Sequence, residues 1–169
     1  AGIHPAAYVV VGVTFWYLFS DIMLATMTSA RRHQSMISGT SFPLMGAVAI
    51  SYATVLFEAG MRLVLVVPTI ILLHGSPPVT ALWAIPVTLL GMMFFSGLGL
   101  ILLCASFLLP DVEQIVTVFM RYLIFVSLAI FPLGGEAGGW MSVLNPFAYY
   151  IDSIRDLLIY GTMGPLSAV

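Results

Sequence analysis

The sequence predicts an all-α integral membrane protein with about four transmembrane helices and one re-entrant or interfacial amphipathic helix. Of the 169 residues, 61% are hydrophobic and 7% are charged, whereas soluble domains carry about 25% charged residues. Four apolar runs each have about the 20 residues, or more, that a helix needs to cross a bilayer. The composition therefore indicates a single transmembrane domain over residues 1–169. It excludes a soluble enzyme, a nucleic-acid-binding protein and a disordered chain.

The apolar runs predict the transmembrane spans in chain order, and short polar or turn-forming stretches separate them. The predicted spans cover roughly residues 6–27, 43–74, 79–109 and 115–133. The first break, 28–41, contains Arg31, Arg32 and His33. Because basic residues of short loops stay in the cytoplasm, this break is expected inside. Of the later breaks, 74–79 and 134–145 contain no Lys or Arg and are expected outside, while alternation places 110–114 inside.

The last segment differs from the spans. Asn145 followed by Pro146 is typical of a helix start. Apolar residues then recur on one helical face, while Asp152, Arg155 and Asp156 fall on another. A helix over 146–161 is too short and too polar to cross a bilayer. We therefore expect it to lie at the outer interface or to dip partly into the membrane.

One pair of charged residues lies inside the second span. Glu58 and Arg62 are one helical turn apart, a spacing at which opposite charges meet on one face. Such a pair either lines a polar pathway or joins two helices structurally. In both cases this face is expected to meet protein or water, because charge is costly within lipid.

Two further charged residues lie within predicted spans. Asp21 is expected near the inner interface, close to the end of the first span. Arg121 is expected near the cytoplasmic end of the fourth, where its long side chain reaches the interface and pairs with Asp111 or Glu113. A proton relay through either residue is the alternative.

The aromatic residues Phe15, Trp16 and Tyr17 form either part of an interfacial belt or a stacking surface for sugar rings. Phosphate-binding, nucleophile-elbow and zinc-protease motifs do not occur in the sequence. The histidines lie in different loops and the single Cys104 lies in an apolar run. The sequence therefore predicts no catalytic residue, no cofactor site and no metal site.

Several short stretches occur in an order and at spacings that resemble a known family. They are 8–12, 15–20, Phe42-Pro43, 97–100, 111–116, and Leu144-Asn145-Pro146-Phe147 followed by Arg155 and Gly161. This ordered set resembles the membrane (permease) subunits of ABC-type polysaccharide exporters, which move capsular polysaccharide, O-antigen or teichoic acid. The similarity runs over nearly the whole chain.

The resemblance implies a non-enzymatic, multi-pass subunit of the bacterial inner membrane. Such a subunit works as a homodimer or within a larger membrane complex, and a separate cytoplasmic subunit binds ATP. The resemblance assigns residues 28–41 to the loop that couples to the ATPase, with Arg31, Arg32 and His33 as contacts. It also implies an outer gate that contains Phe131, Trp140, Asn145, Pro146 and Arg155.

The sequence departs from this family in three places. The family's first and last membrane helices are missing, and Pro110 replaces the usual Arg before the loop aspartate. Either these helices lie beyond the present sequence, or this copy has lost transport. The leading hypothesis is thus a glycan-exporting permease. The alternatives are a permease-like accessory subunit of a larger membrane complex, and an ion-coupled carrier or channel that uses Glu58, Arg62 and Asp21.

Overall fold

The computed structural model describes residues 5–39, 43–74, 78–109, 111–126 and 145–161, and helices account for nearly all of them. The predicted all-α membrane fold is confirmed. In chain order the helices are α1 (Pro5–Arg32), α2 (Gln34–Gly39), α3 (Leu44–His74), a 3-10 helix (Val79–Trp83), α4 (Ala84–Leu108), α5 (Asp111–Val126) and α6 (Pro146–Arg155), which continues into a π-helical turn (Asp156–Tyr160).

Three segments of the described chain are long and apolar enough to cross a membrane. They are Ala6–Arg32, Leu44–Leu72 and Val79–Leu108. At about 1.5 Å per residue, each exceeds the hydrocarbon thickness of about 30 Å. The fourth predicted span, 115–133, lies within the described residues only as far as Val126, where α5 ends, so it stays a prediction.

Helix α1 is the central element, because α3, α4, α5 and α6 all pack against it. Its buried side chains, including Val11 and Phe19, meet Phe95 of α4 and Ile151 of α6 in one apolar core. The large apolar side chains of α3 and α4 that point away from α1 are exposed. This is the pattern expected of helices that face lipid.

Two glycines bring α1 and α4 into close contact. A β-carbon at position 99 would lie 2.6 Å from the carbonyl oxygen of Met23 and 2.7 Å from Cβ of Thr26. A β-carbon at position 91 would lie 2.7 Å from the ring of Phe19. Small residues allow membrane helices to approach at backbone distance, so these positions fix the α1–α4 interface.

A hydrogen-bond chain also links three helices beside these glycines. The hydroxyls of Thr26 on α1 and Tyr52 on α3 form a hydrogen bond at 3.1 Å, and Tyr52 bonds to Ser96 on α4. Polar side chains that bond across helices satisfy groups that lipid cannot. The sequence did not predict this link, because its members are far apart along the chain.

Residues 28–39 of the polar loop expected over 28–41 are helical apart from a turn at His33, which corrects the prediction from the sequence. Helix α1 continues to Arg32, the chain turns at His33, and α2 follows. The reason is that the hydroxyls of Thr28 and Ser29 donate to carbonyl oxygens of α1 itself, at 2.9 and 2.7 Å. These polar residues are therefore satisfied without leaving the helix.

Helix α6 packs among the other helices of the bundle. Phe147, in its first turn, packs on Trp16 and Phe95, with ring centroids 4.4 and 4.1 Å apart. Trp16 and Phe95 lie near the middle of α1 and α4. At the other end, Gly161 adopts a left-handed φ of 68° beside Thr80 of the 3-10 helix. The segment thus begins deep among the helices and returns towards one end of the bundle.

Candidate functional site

A cluster of three charged side chains joins α1 to α3. Nη1 of Arg62 lies 2.9 Å from Oδ2 of Asp21, and Nη2 lies 3.6 Å from Oε2 of Glu58. The same guanidinium lies 5.2 Å from the centroid of the Tyr17 ring. The structure thus brings Glu58 and Arg62 together, as their spacing suggests, and adds Asp21 as the nearer carboxylate.

This charged cluster lies near mid-height of the bundle. Asp21 is near the middle of α1 and Arg62 near the middle of α3. The expectation that Asp21 lies near the inner interface stays a prediction, while α1 runs on to Arg32 and Asp21 is engaged by Arg62. The side chains of Asp21 and Arg62 are 29% and 37% exposed, so the cluster also reaches the surface of the chain.

A groove of about 230 Å³ lies next to this cluster, between α1 and α5. It is lined by Trp16, Tyr17, Ser20, Asp21 and Leu24 of α1 and by Thr117, Met120, Arg121 and Ile124 of α5. Carboxylate, guanidinium, hydroxyl and aromatic groups therefore meet in one place. Such a set can bind a polar ligand at a depth where lipid supplies no hydrogen bonds.

Arg121 differs from its expected placement. Within the five described ranges it forms no ion pair with Asp111 or Glu113. Glu113 instead pairs with Arg31 at 3.1 Å, because the helical continuation of α1 carries Arg31 to the first turn of α5. The exposed Arg121 side chain lines the groove beside Asp21.

The three aromatic residues proposed for glycan stacking face different directions. Phe15 and Trp16 are 6% and 3% exposed, whereas Tyr17 is 45% exposed. Consecutive helical residues point about 100° apart, so one of them faces outward and the other two enter the core. A stacking role for Phe15 and Trp16 is therefore inconsistent with their burial. The ring of Tyr17 already contacts the guanidinium of Arg62.

The segment proposed to couple to an ATPase forms one end of the bundle, here called the basic end (Arg31, Arg32, His33 and α2). Arg31 and Arg32 are exposed, and α2 presents further exposed side chains. Nε2 of the half-buried His33 lies 3.5 Å from the hydroxyl of Ser51 on α3. The two arginines also complement the carboxyl end of α1 electrostatically.

The segment proposed as an outer gate lies near the opposite end. Arg155 is only 2% exposed; its Nη1 lies 2.5 Å from Oδ1 of Asp152, and its guanidinium lies 3.6 Å from the ring centroid of Tyr8. Burial raises the pKa of the Asp152 carboxyl to about 6, against the opposing charge of Arg155. Arg155 thus fastens α6 to the first turns of α1. Phe131 and Trp140 lie outside the described residues.

Asn145 and Pro146 start α6 as the sequence suggests. Oδ1 of Asn145 accepts a hydrogen bond from the amide of Phe147 at 3.0 Å, and Pro146 follows in the first turn. This cap satisfies an amide that would otherwise lack a partner inside the bundle.

We expect Asn145→Ala to destabilise α6 by about 1 kcal/mol, because the cap is lost. Asn145→Ser keeps a neutral acceptor and is the matched control. Hydrogen exchange of the Phe147 amide measures the effect, and exchange should quicken in the alanine variant. Equal exchange in both variants would show that Asn145 does not cap the helix.

Comparison with known proteins finds a matching family profile and two similar proteins. Residues 3–159 match the profile of the family described as ABC-2 type transporter. Two proteins of Klebsiella pneumoniae, both described as O-antigen export system permease protein RfbA, are each 23% identical to the chain over 163 residues. The match covers 92% of this chain and 61% of each relative, so the chain spans about three-fifths of their length.

Proposed function

Because the chain belongs to the ABC-2 type transporter family, we propose that it is the permease subunit of an ATP-driven exporter whose cargo is a polysaccharide or a lipid-linked glycan. The family match, which includes every helix from α1 to α6, is the observation that carries the proposal. The cargo is suggested by relatives described as O-antigen export permeases. The protein itself is expected to have no enzymatic activity.

The charged cluster supports a role in transport, because charged side chains are unfavourable on a surface that faces only lipid. A single charged residue at the centre of a membrane helix costs about 2.5–3.5 kcal/mol on insertion scales. Asp21, Glu58 and Arg62 keep part of their surface exposed near mid-height. This face is therefore expected to meet a polar pathway or another protein chain, as it would in a homodimer or a larger membrane complex.

The basic end is the proposed docking surface for a cytoplasmic ATP-binding subunit. The Arg31–Glu113 ion pair connects the end of α1 to the start of α5. A force applied at α2 would therefore reach both helices that border the groove. We propose that the chain lies in the bacterial inner membrane with the basic end in the cytoplasm, as basic residues of short loops favour.

Helix α6 is the proposed gate at the outer end. Its contacts with α1 include Arg155 on Tyr8, Phe147 on Trp16 and Tyr150 on Phe19. Asn145 and Pro146 define where the helix starts, while Phe131 and Trp140 are assigned to this gate from the sequence alone. Movement of α6 relative to α1 would open or close the route beside it.

Purification from native membranes in mild detergent tests this proposal, with mass spectrometry of every stoichiometric partner. We expect a nucleotide-binding subunit with a Walker motif to co-purify. Arg32→Glu should reduce its recovery several-fold, because the charge of an exposed contact is reversed. Arg32→Lys, which keeps the positive charge at the same exposed position, is the matched control and should leave recovery unchanged.

Recovery of a different membrane assembly without an ATPase would overturn the exporter proposal and favour an accessory subunit. Unchanged recovery with Arg32→Glu would remove the basic end from the docking surface.

A further inference from the structure

We propose that the groove between α1 and α5 binds an anionic group of the exported cargo, a phosphate or a carboxylate, with Arg121 as its anchor. The inference rests on the proposed function, because the export route supplies the ligand. It adds a specific binding site and the charge of the group that this site recognises.

The first observation is the electrostatic state of the groove. Asp21 and Arg121 both line it, but Asp21 is already engaged by Arg62 at 2.9 Å. Within the described ranges, Arg121 has no ion-pair partner. A guanidinium that is exposed in the membrane region without a counter-charge is costly. A bound anion supplies that charge, and guanidinium groups bind phosphate and carboxylate through paired hydrogen bonds.

The second observation is a buried hydroxyl without a partner. Ser20 lines the same groove and is 4% exposed, yet its Oγ has no hydrogen-bond partner in the described part of the chain. By contrast, the hydroxyls of Thr14 and Thr26 on the same helix donate to the carbonyl four residues earlier. Buried polar groups are nearly always hydrogen-bonded. Ser20 is therefore available to donate to a ligand oxygen.

The size of the groove limits the ligand. Its volume of about 230 Å³ is several times the share of one water in the liquid, about 30 Å³. This is enough room for one phosphate group or one acidic sugar, and because the groove is open the rest of a longer cargo can extend beyond it. The phosphate of a lipid carrier and the acidic group of a glycan repeat share the chemistry that Arg121 recognises.

Equilibrium binding to the purified complex in lipid nanodiscs tests the proposal with three probes. These are a polyprenyl diphosphate without sugar, a uronic-acid-containing oligosaccharide, and a neutral oligosaccharide of the same length. The variants are Arg121→Gln, which removes the charge, and Arg121→Lys, which keeps it. Tyr122→Phe, at an exposed position beside Arg121 but outside the groove lining, is the matched control.

We expect Arg121→Gln to weaken binding of at least one anionic probe by about tenfold or more, as loss of a charge-assisted hydrogen bond implies. Arg121→Lys should retain most of the affinity, and Tyr122→Phe should retain all of it. Binding of the neutral probe should not respond to either Arg121 substitution. The anionic probe that does respond identifies the lipid carrier or the glycan as the source.

The site is refuted if Arg121→Gln leaves both anionic probes bound as in the wild type, or if the wild type binds neither. Co-purification of the nucleotide-binding subunit and ATP-driven export are measured on the same preparations. If co-purification and export persist but no binding depends on Arg121, the proposed site alone is overturned. Their absence in the wild type overturns the proposed function instead.

Discussion

Gly99→Ala is expected to lower the stability of the folded protein by about 1–3 kcal/mol, the usual cost of overpacking a tight interface. The added β-carbon would lie 2.6 Å from the Met23 carbonyl oxygen. Because the nearest obstacle is backbone, no side-chain rotation relieves it, and α4 must move away from α1. The hydrogen-bond chain through Thr26, Tyr52 and Ser96 crosses the same interface and should weaken as well.

Gly97→Ala is the matched control on the same helix, since a β-carbon at position 97 meets nothing within 4 Å. Alanine is also favoured over glycine in helices by about 1 kcal/mol, so this variant should be neutral or slightly more stable. The thermal midpoint of the detergent-purified protein measures both. Equal midpoints for the two variants would show that Gly99 does not set the α1–α4 distance.

Arg62→Gln is the second substitution with a large expected effect. It leaves the Asp21 carboxylate near mid-height of the bundle without its counter-charge. Loss of one partner costs about 3–5 kcal/mol in a buried ion pair and about 0–1 kcal/mol in an exposed pair. The partly exposed Asp21–Arg62 pair should fall between these limits, at about 1–3 kcal/mol. The thermal midpoint of the detergent-purified variant measures the loss.

Two comparisons make this expectation specific. The double substitution Asp21→Asn with Arg62→Gln removes both charges and should recover part of the loss. Glu58→Gln should cost less than Arg62→Gln, because Glu58 is 53% exposed and its nearest contact to Arg62 is 3.6 Å. A double variant less stable than Arg62→Gln alone would contradict the assignment of Asp21 as the main partner.

The membrane fold was predictable because composition and run length depend on local sequence alone. The contacts between helices were not predictable from the sequence. The spacing of Glu58 and Arg62 indicates a contact within one helix, whereas the shorter Arg62–Asp21 contact depends on how α3 packs on α1. The partner of Arg31 could not be predicted for the same reason, because Glu113 is far away in the sequence and lies on α5.

Two other differences between the predicted and the observed structure have local physical causes. The hydroxyls of Thr28 and Ser29 bond back to α1, so a polar stretch that predicts a loop remains helical. Phe15, Trp16 and Tyr17 are adjacent in sequence, but a helix spreads them around its axis and exposes mainly Tyr17. The different directions of these three side chains could have been predicted from helical periodicity, although not from composition alone.

Transport into inverted membrane vesicles tests whether this chain is the permease of an ATP-driven glycan exporter. Vesicles from cells that produce the full export complex are given ATP, and the glycan is then exposed to an external glycosidase. We predict that glycan becomes protected inside the vesicles only when both this subunit and hydrolysable ATP are present. Equal protection in vesicles that lack the subunit, or with a non-hydrolysable ATP analogue, would contradict the account.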